Sequence, residues 1–190
     1  MGDDKAFLDW QGVPLWRLQI EKLMKMQPER VLIAARREQN FSAHIAADPM
    51  LKSCAKLEVI EDPEGEDCGP IGALIRCLKQ ADLPLLVLAV DMPRMSIEFL
   101  SQLLDATRPG IGVVPTGRHG HETLAALYVP AMLPQLESAQ MKGDFSLQSV
   151  INAAVAAGSC ELMPLDPADE DPLSNVNTRE EAARILRFQA

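Results

Sequence analysis

Cationic side chains are in short supply in this sequence. Lys and Arg number 18 against 27 Asp and Glu, which leaves a net charge of −9. That deficit excludes the broad basic face on which nucleic-acid binding depends. It does not exclude a nucleotide, because a few local cations and one metal outweigh a distant field at close range. Long hydrophobic runs are also missing: no stretch approaches the roughly 18 apolar residues of a membrane span. The first ten residues carry charges, so no signal peptide is read there. Cys54, Cys68, Cys77 and Cys160 show no C-x-x-C spacing. They read as reduced thiols of a cytoplasmic protein, filling small core or loop positions. Internal repeats, low-complexity tracts and an interdomain linker are absent as well, so residues 1–190 read as a single domain.

What is present is an alternation. R-V-L-I-A-A (Arg30–Ala35), L-E-V-I-E-D (Leu57–Asp62), P-L-L-V-L-A-V-D (Pro84–Asp91), G-I-G-V-V-P (Gly110–Pro115) and T-L-A-A-L-Y-V (Thr123–Val129) have strand length. The third is apolar on both faces, as a buried parallel strand should be. Helical patterns separate them. Pro14–Met26 and Pro70–Ala81 each start on Pro, which suits a first helical turn. Ser96 is placed to cap a helix through Ala106, and Ser146 another through Ala157. Thr178 with Glu181 three residues on makes a capping box. Gly117–Glu122 and Asp166–Pro172 read as loops. The pattern predicts an α/β domain with a mainly parallel sheet.

In open sheets of this kind ligands bind beyond the carboxyl ends of the strands. Asp62 and Asp91 close two apolar runs there. Packing explains such acids poorly, since each charge must face a crevice or a cation; the plainer reading is a helix cap or a loop acid. Gly69 and Pro70 open a helix whose free N–H groups can face an anion or make an ordinary turn. Gly72 inside that first turn costs about 1 kcal/mol relative to Ala, so a close approach by a ligand or backbone explains it better. Asn175 and Asn177 precede the last helix, where amides serve either a polar ligand or the turn. His119 and His121 offer two metal-capable rings but no third ligand, so a loop role is preferred. Trp10 and Trp16 read as packing residues.

Several segments, taken in order, resemble the molybdenum cofactor guanylyltransferase family. M-G-D-D-K-A (Met1–Ala6) resembles the end of that family's opening loop, L-A-G-G-x-S-x-R-M-G-x-D-K-A. P-L-W (Pro14–Trp16) follows at the family's distance. D-C-G-P-I-G-A-L (Asp67–Leu74) resembles its G-P-L-A-G segment, V-D-M-P (Val90–Pro93) its strand-end metal motif, and S-N-V-N-T (Ser174–Thr178) its C-terminal signature.

The resemblance implies a Rossmann-like three-layer nucleotidyltransferase fold. It implies transfer of GMP from GTP to molybdopterin, with Mg²⁺ as cofactor, and contact with other cofactor-biosynthesis proteins or molybdoenzymes. Asp91 would hold the metal and Lys5 the triphosphate. Gly2, Asp62, Gly69 and Pro70 would line the nucleotide, with Glu66 and Asp67 as alternative acids. Asn175 and Asn177 would face the acceptor. Ala34 and Arg36 stand where relatives often carry Asn, and Phe145 where they often carry Arg. A CTP- or sugar-phosphate-using transferase, or a non-catalytic relative, therefore stay open. The family's first strand and glycine-rich loop are missing from the sequence. That strand is normally central, so its absence is expected to leave two strand edges unpaired. A start placed at the Met of R-M-G, or a shortened chain, is the expected cause.

Overall fold

The computed structural model describes residues 4–63 and 69–166, together with Asn175, Val176, Thr178, Glu180, Glu181 and Arg184. Gly2, Glu66, Asp67, Cys68 and Asn177 lie outside the described residues, as does the expected loop beyond Asp166.

A 3₁₀ turn at Lys5–Phe7 leads into a small hairpin of β1 (Asp9–Trp10) and β2 (Val13–Pro14). Gln11 and Gly12 turn it, both at positive φ (55° and 85°). Helix α1 (Leu15–Lys25) follows, with Pro14 as its N-cap rather than its first helical residue. Next come β3 (Val31–Ala35), α2 (Phe41–Ala47), β4 (Leu57–Glu61), α3 (Gly69–Ala81), β5 (Leu85–Leu88) and α4 (Ile97–Asp105). The second half holds β6 (Gly112–Gly117), β7 (Gly120–His121), β8 (Ala125–Tyr128), α5 (Leu133–Lys142), α6 (Leu147–Ala156) and β9 (Cys160–Pro164). The anticipated caps form: Ser96 and Ser146 accept from the N–H groups of Phe99 and Ser149. Thr178 Oγ1 accepts from the Glu181 N–H.

Strand β3 pairs in parallel with β4, from Val31 against Leu57 to Ala35 against Glu61. A second sheet runs β5–β8–β6, with β7 and β9 also on β6. Strand β8 is antiparallel to both β5 and β6, while β9 is parallel to β6. Thus β5, β6 and β9 share one direction, and the sheet is mixed through β8 and the short β7.

Helices cover both faces. Side chains alternate across a strand, so Val114, Ala126 and Tyr128 pack with α3, α5 and α6. Val113, Ala125 and Leu127 pack with α4 and the end of α1 on the other face. Trp16, Ile20, Ala35 and Phe41 form a third cluster, in which the Trp16 and Phe41 rings meet edge-on at 5.7 Å. Trp10 is buried with Leu8, Leu15 and Val176. Both tryptophans are packing residues.

Besides the short β1–β2 hairpin, two helices and a strand were not anticipated from the pattern. Helix α2 buries only Phe41, α5 contains an early Pro134, and β9 buries only Cys160 fully. None has the apolar period by which such elements are recognised. The polar stretch read as a loop at Gly117–Glu122 folds into the β6–β7 hairpin, with Gly120 at φ 109°.

Among the described residues no strand lies between β3 and β5, where two unpaired edges were expected. Among the described residues, β3 pairs only with β4 and β5 only with β8. Between their inner edges lies a cavity of about 780 Å³, with α1 on one face and α3 on the other.

Candidate active site

Strand β5 is apolar and half-buried throughout, and the chain continues as Val90-Asp91-Met92-Pro93 into a turn. Helix α1 holds the backbone of this turn. Gln19 is buried, and its Nε2 donates to the carbonyl oxygens of Ala89 (3.2 Å), Val90 (3.3 Å) and Met92 (2.8 Å). One turn on, Lys22 Nζ donates to the Pro93 carbonyl at 3.1 Å. From the other end of the chain, the Val176 N–H donates to the Asp91 carbonyl at 2.7 Å. Three residues from two segments thereby fix where the Asp91 side chain projects.

That side chain is only 12% exposed, and its Oδ2 accepts from Lys5 Nζ at 2.9 Å. The lysine is 43% exposed. Asp4 anchors the adjoining turn: its carboxylate accepts from the Ala6 N–H, from Arg36 (3.2 Å) and from Gln39 (2.8 Å). The first described residues therefore bridge the ends of β3 and β5.

Asp62 follows β4, and its N–H donates to the Ala35 carbonyl at 2.9 Å. Its carboxylate is ion-paired with Arg76 of α3. Gly69 opens that helix at φ 53°, a conformation that favours glycine. Pro70 is exposed beside it, at the rim of the central cavity. The structure thus brings Lys5 and Asp91 into contact, and ties Asn175, itself exposed, to them through Val176. It places Asp62 in a separate pair with Arg76.

His121 is consumed by structure: Nδ1 lies 3.1 Å from Thr116 Oγ1 and Nε2 3.2 Å from Asn152 Oδ1. His119 is exposed, and no group of three metal-capable side chains exists among the described residues. Cys54, Cys77 and Cys160 are free thiols. Burial pushes the Cys77 thiol up and that of Cys160 to about 11, which leaves both poor nucleophiles.

Gln19, Lys22 and Arg76 were missed in the sequence. The first two had a readable signal, because positions 15, 19 and 22 share the buried face of α1 and a polar side chain there is out of place. Arg76 had none, since its partner is fixed only by how α3 lies on β4.

An acid at the carboxyl end of an apolar strand, a lysine upon it and a helix opening on a positive-φ glycine make a nucleotide-binding α/β architecture. The chain matches the family described as "MobA-like NTP transferase domain" over residues 1–158, and it belongs to that family. It is 30% identical to a probable molybdenum cofactor guanylyltransferase of Opitutus terrae, an alignment covering 100% of this chain and 90% of that protein. It is also 30% identical to a molybdenum cofactor guanylyltransferase of Pseudomonas putida, over 94% and 86% of the two chains. Among solved structures, molybdopterin-guanine dinucleotide biosynthesis protein A from Archaeoglobus fulgidus shares the fold. The TM-score is 0.69 at 23% identity, covering 95% of this chain and 87% of that one. A 2-C-methyl-D-erythritol 4-phosphate cytidylyltransferase from Thermus thermophilus also shares it, with a TM-score of 0.65 at 16% identity over 95% and 91%.

Proposed function

We propose that this chain is a single nucleotidyltransferase domain of the cytoplasm that transfers GMP from GTP to molybdopterin, giving molybdopterin guanine dinucleotide. The carrying observation is the Lys5–Asp91 pair at the end of β5, in a chain whose relatives are named for this transfer. In this reading the terminal phosphate of molybdopterin, with molybdenum already bound, attacks the α-phosphorus of GTP. Pyrophosphate leaves from the opposite side. A phosphate is anionic at neutral pH, so the attack needs no general base. Catalysis is then alignment and charge neutralisation.

Mg²⁺ takes one or two carboxylates and fills its other positions with phosphate oxygens and water. The single shielded carboxylate of Asp91 fits an ion that arrives with its nucleotide. When bound, the ion supplies neutralisation of phosphate charge. Lys5 adds a compact ammonium for the triphosphate, already oriented by Asp91. Gly69 and Pro70 offer the start of α3 to the nucleotide, and Asp62, steadied by Arg76, a polar contact. Asn175 and Asn177 belong to the acceptor side. Molybdoenzymes and other proteins of the same biosynthesis are the partners this reading implies.

Replacing Asp91 with Asn keeps the shape and removes the charge. GTP binding should then lose its Mg²⁺ dependence, and dinucleotide formation should fall by about 100-fold or more, while circular dichroism is unchanged. Calorimetric titration with GTP, with and without Mg²⁺, and chromatography of the product check this. Unaltered Mg²⁺-dependent binding in the variant, or none in the wild type, refutes the assignment. Competition between GTP and CTP separates guanylyl from cytidylyl transfer.

A further inference from the structure

One face of α1 makes polar contacts on three successive turns. At its start the Leu15 N–H donates to the Leu8 carbonyl at 3.0 Å, and the Leu8 N–H donates in turn to the Lys5 carbonyl at 3.1 Å. One turn on, Gln19 reaches the carbonyls around Asp91, and a further turn on Lys22 reaches that of Pro93. The same helix is therefore tied to both halves of the Lys5–Asp91 pair.

Gln19 is 5% exposed and shares its buried face with the apolar Leu15, Trp16 and Ile20. Its Oε1 has no hydrogen-bond partner among the described residues, which burial disfavours. The Nε2 end explains why an amide stands there. Successive carbonyls of an extended strand point to opposite sides. Those of Ala89, Val90 and Met92 instead converge on this one amide. The chain leaves its extended path here, and the gathered carbonyls need a donor between them. Asp91 sits inside the bend, its own carbonyl taken by the Val176 N–H.

We propose that Gln19 is a positioning residue for Asp91. By gathering the carbonyls on either side of Asp91, it sets the direction of the carboxylate, and with it the hold on Lys5 and on a divalent cation. The cation half rests on the transfer reading given above; the Lys5 half does not. Gln19 acts only through the backbone. A displacement of about 1 Å at such a site can cost about 100-fold.

The test compares three variants of the full chain. Gln19→Met keeps the length and loses the donor. Gln19→Glu keeps the shape and sets oxygen against the three carbonyls. Gly112→Ala strains β6 where it meets Leu127 and Met132, and serves as a control for lost stability. Water-proton relaxation reads the binding of Mn²⁺ with GTP, and ¹⁵N NMR without metal reads proton exchange of the Lys5 ammonium. Both Gln19 variants should weaken Mn²⁺–GTP binding about tenfold or more. They should also speed Lys5 exchange about tenfold or more, and Gly112→Ala should do neither. Parent-like binding and exchange in the folded Gln19 variants, or an equal loss in Gly112→Ala, would overturn the proposal. If the parent chain takes up no Mn²⁺ with GTP while the Gln19 variants still release Lys5, the transfer reading falls and the positioning role stands. If neither Gln19 variant folds, the parent chain decides: its Gln19 side-chain amide signals should move on addition of Mg²⁺ and GTP, and signals that stay in place would overturn the proposal.

Discussion

Gly112 starts β6 where a β-carbon would sit 2.5 Å from Met132 Sδ and 2.8 Å from the Leu127 carbonyl. The sulfur can shift, but the carbonyl belongs to a paired strand. Gly112→Ala should therefore cost about 1–3 kcal/mol through overpacking. The urea midpoint should fall while the denaturant slope stays constant. Such a residue is silent in the sequence, because its constraint comes from β8 and the turn before α5. Asp91 is the opposite case. An acid ending an apolar run announced itself, and the structure sets it in contact with Lys5. Gln19 lies between the two: its misplacement on an apolar helix face was visible, its three backbone acceptors were not.

Elements were legible where a local rule governs them. Ser96 satisfies one of the free N–H groups in the first turn of α4 by accepting from Phe99 at 3.0 Å, and the sequence pattern placed the cap there. Ser96→Ala should lower stability by about 1 kcal/mol. The loss should appear as a lower thermal midpoint, with secondary-structure content unchanged. The strands β3, β4 and β5 were likewise marked by their composition. Helices α2 and α5 and strand β9 were not, because each is held mainly by neighbours. Strand β9 alternates weakly and exists through its parallel pairing with β6, whose residues lie 48 positions earlier in the chain.

At the scale of the whole molecule, the half-buried Lys22 couples stability to pH. Burial, with Lys25 adding repulsion, lowers the Lys22 pKa to about 8 from the usual 10.5. Between those two values the unfolded chain binds the proton more tightly than the folded one, so stability rises with pH through that window. The penalty is fully present below about pH 8. Lys22→Met should be more stable than the parent chain at pH 7, and the difference should shrink by pH 10. Urea unfolding at a series of pH values reads this directly, and a constant difference would contradict it. Composition, the order of the strand and helix patterns and the acids at strand ends are local in the sequence, and they determined the α/β class and marked Asp62 and Asp91 at the ends of their strands. The tertiary structure alone decided the reversed direction of β8, the Asp62–Arg76 pair and the clamp of Gln19 on the Asp91 turn. Each of these depends on which distant edges and faces meet, and that is set by packing rather than by any local run of residues.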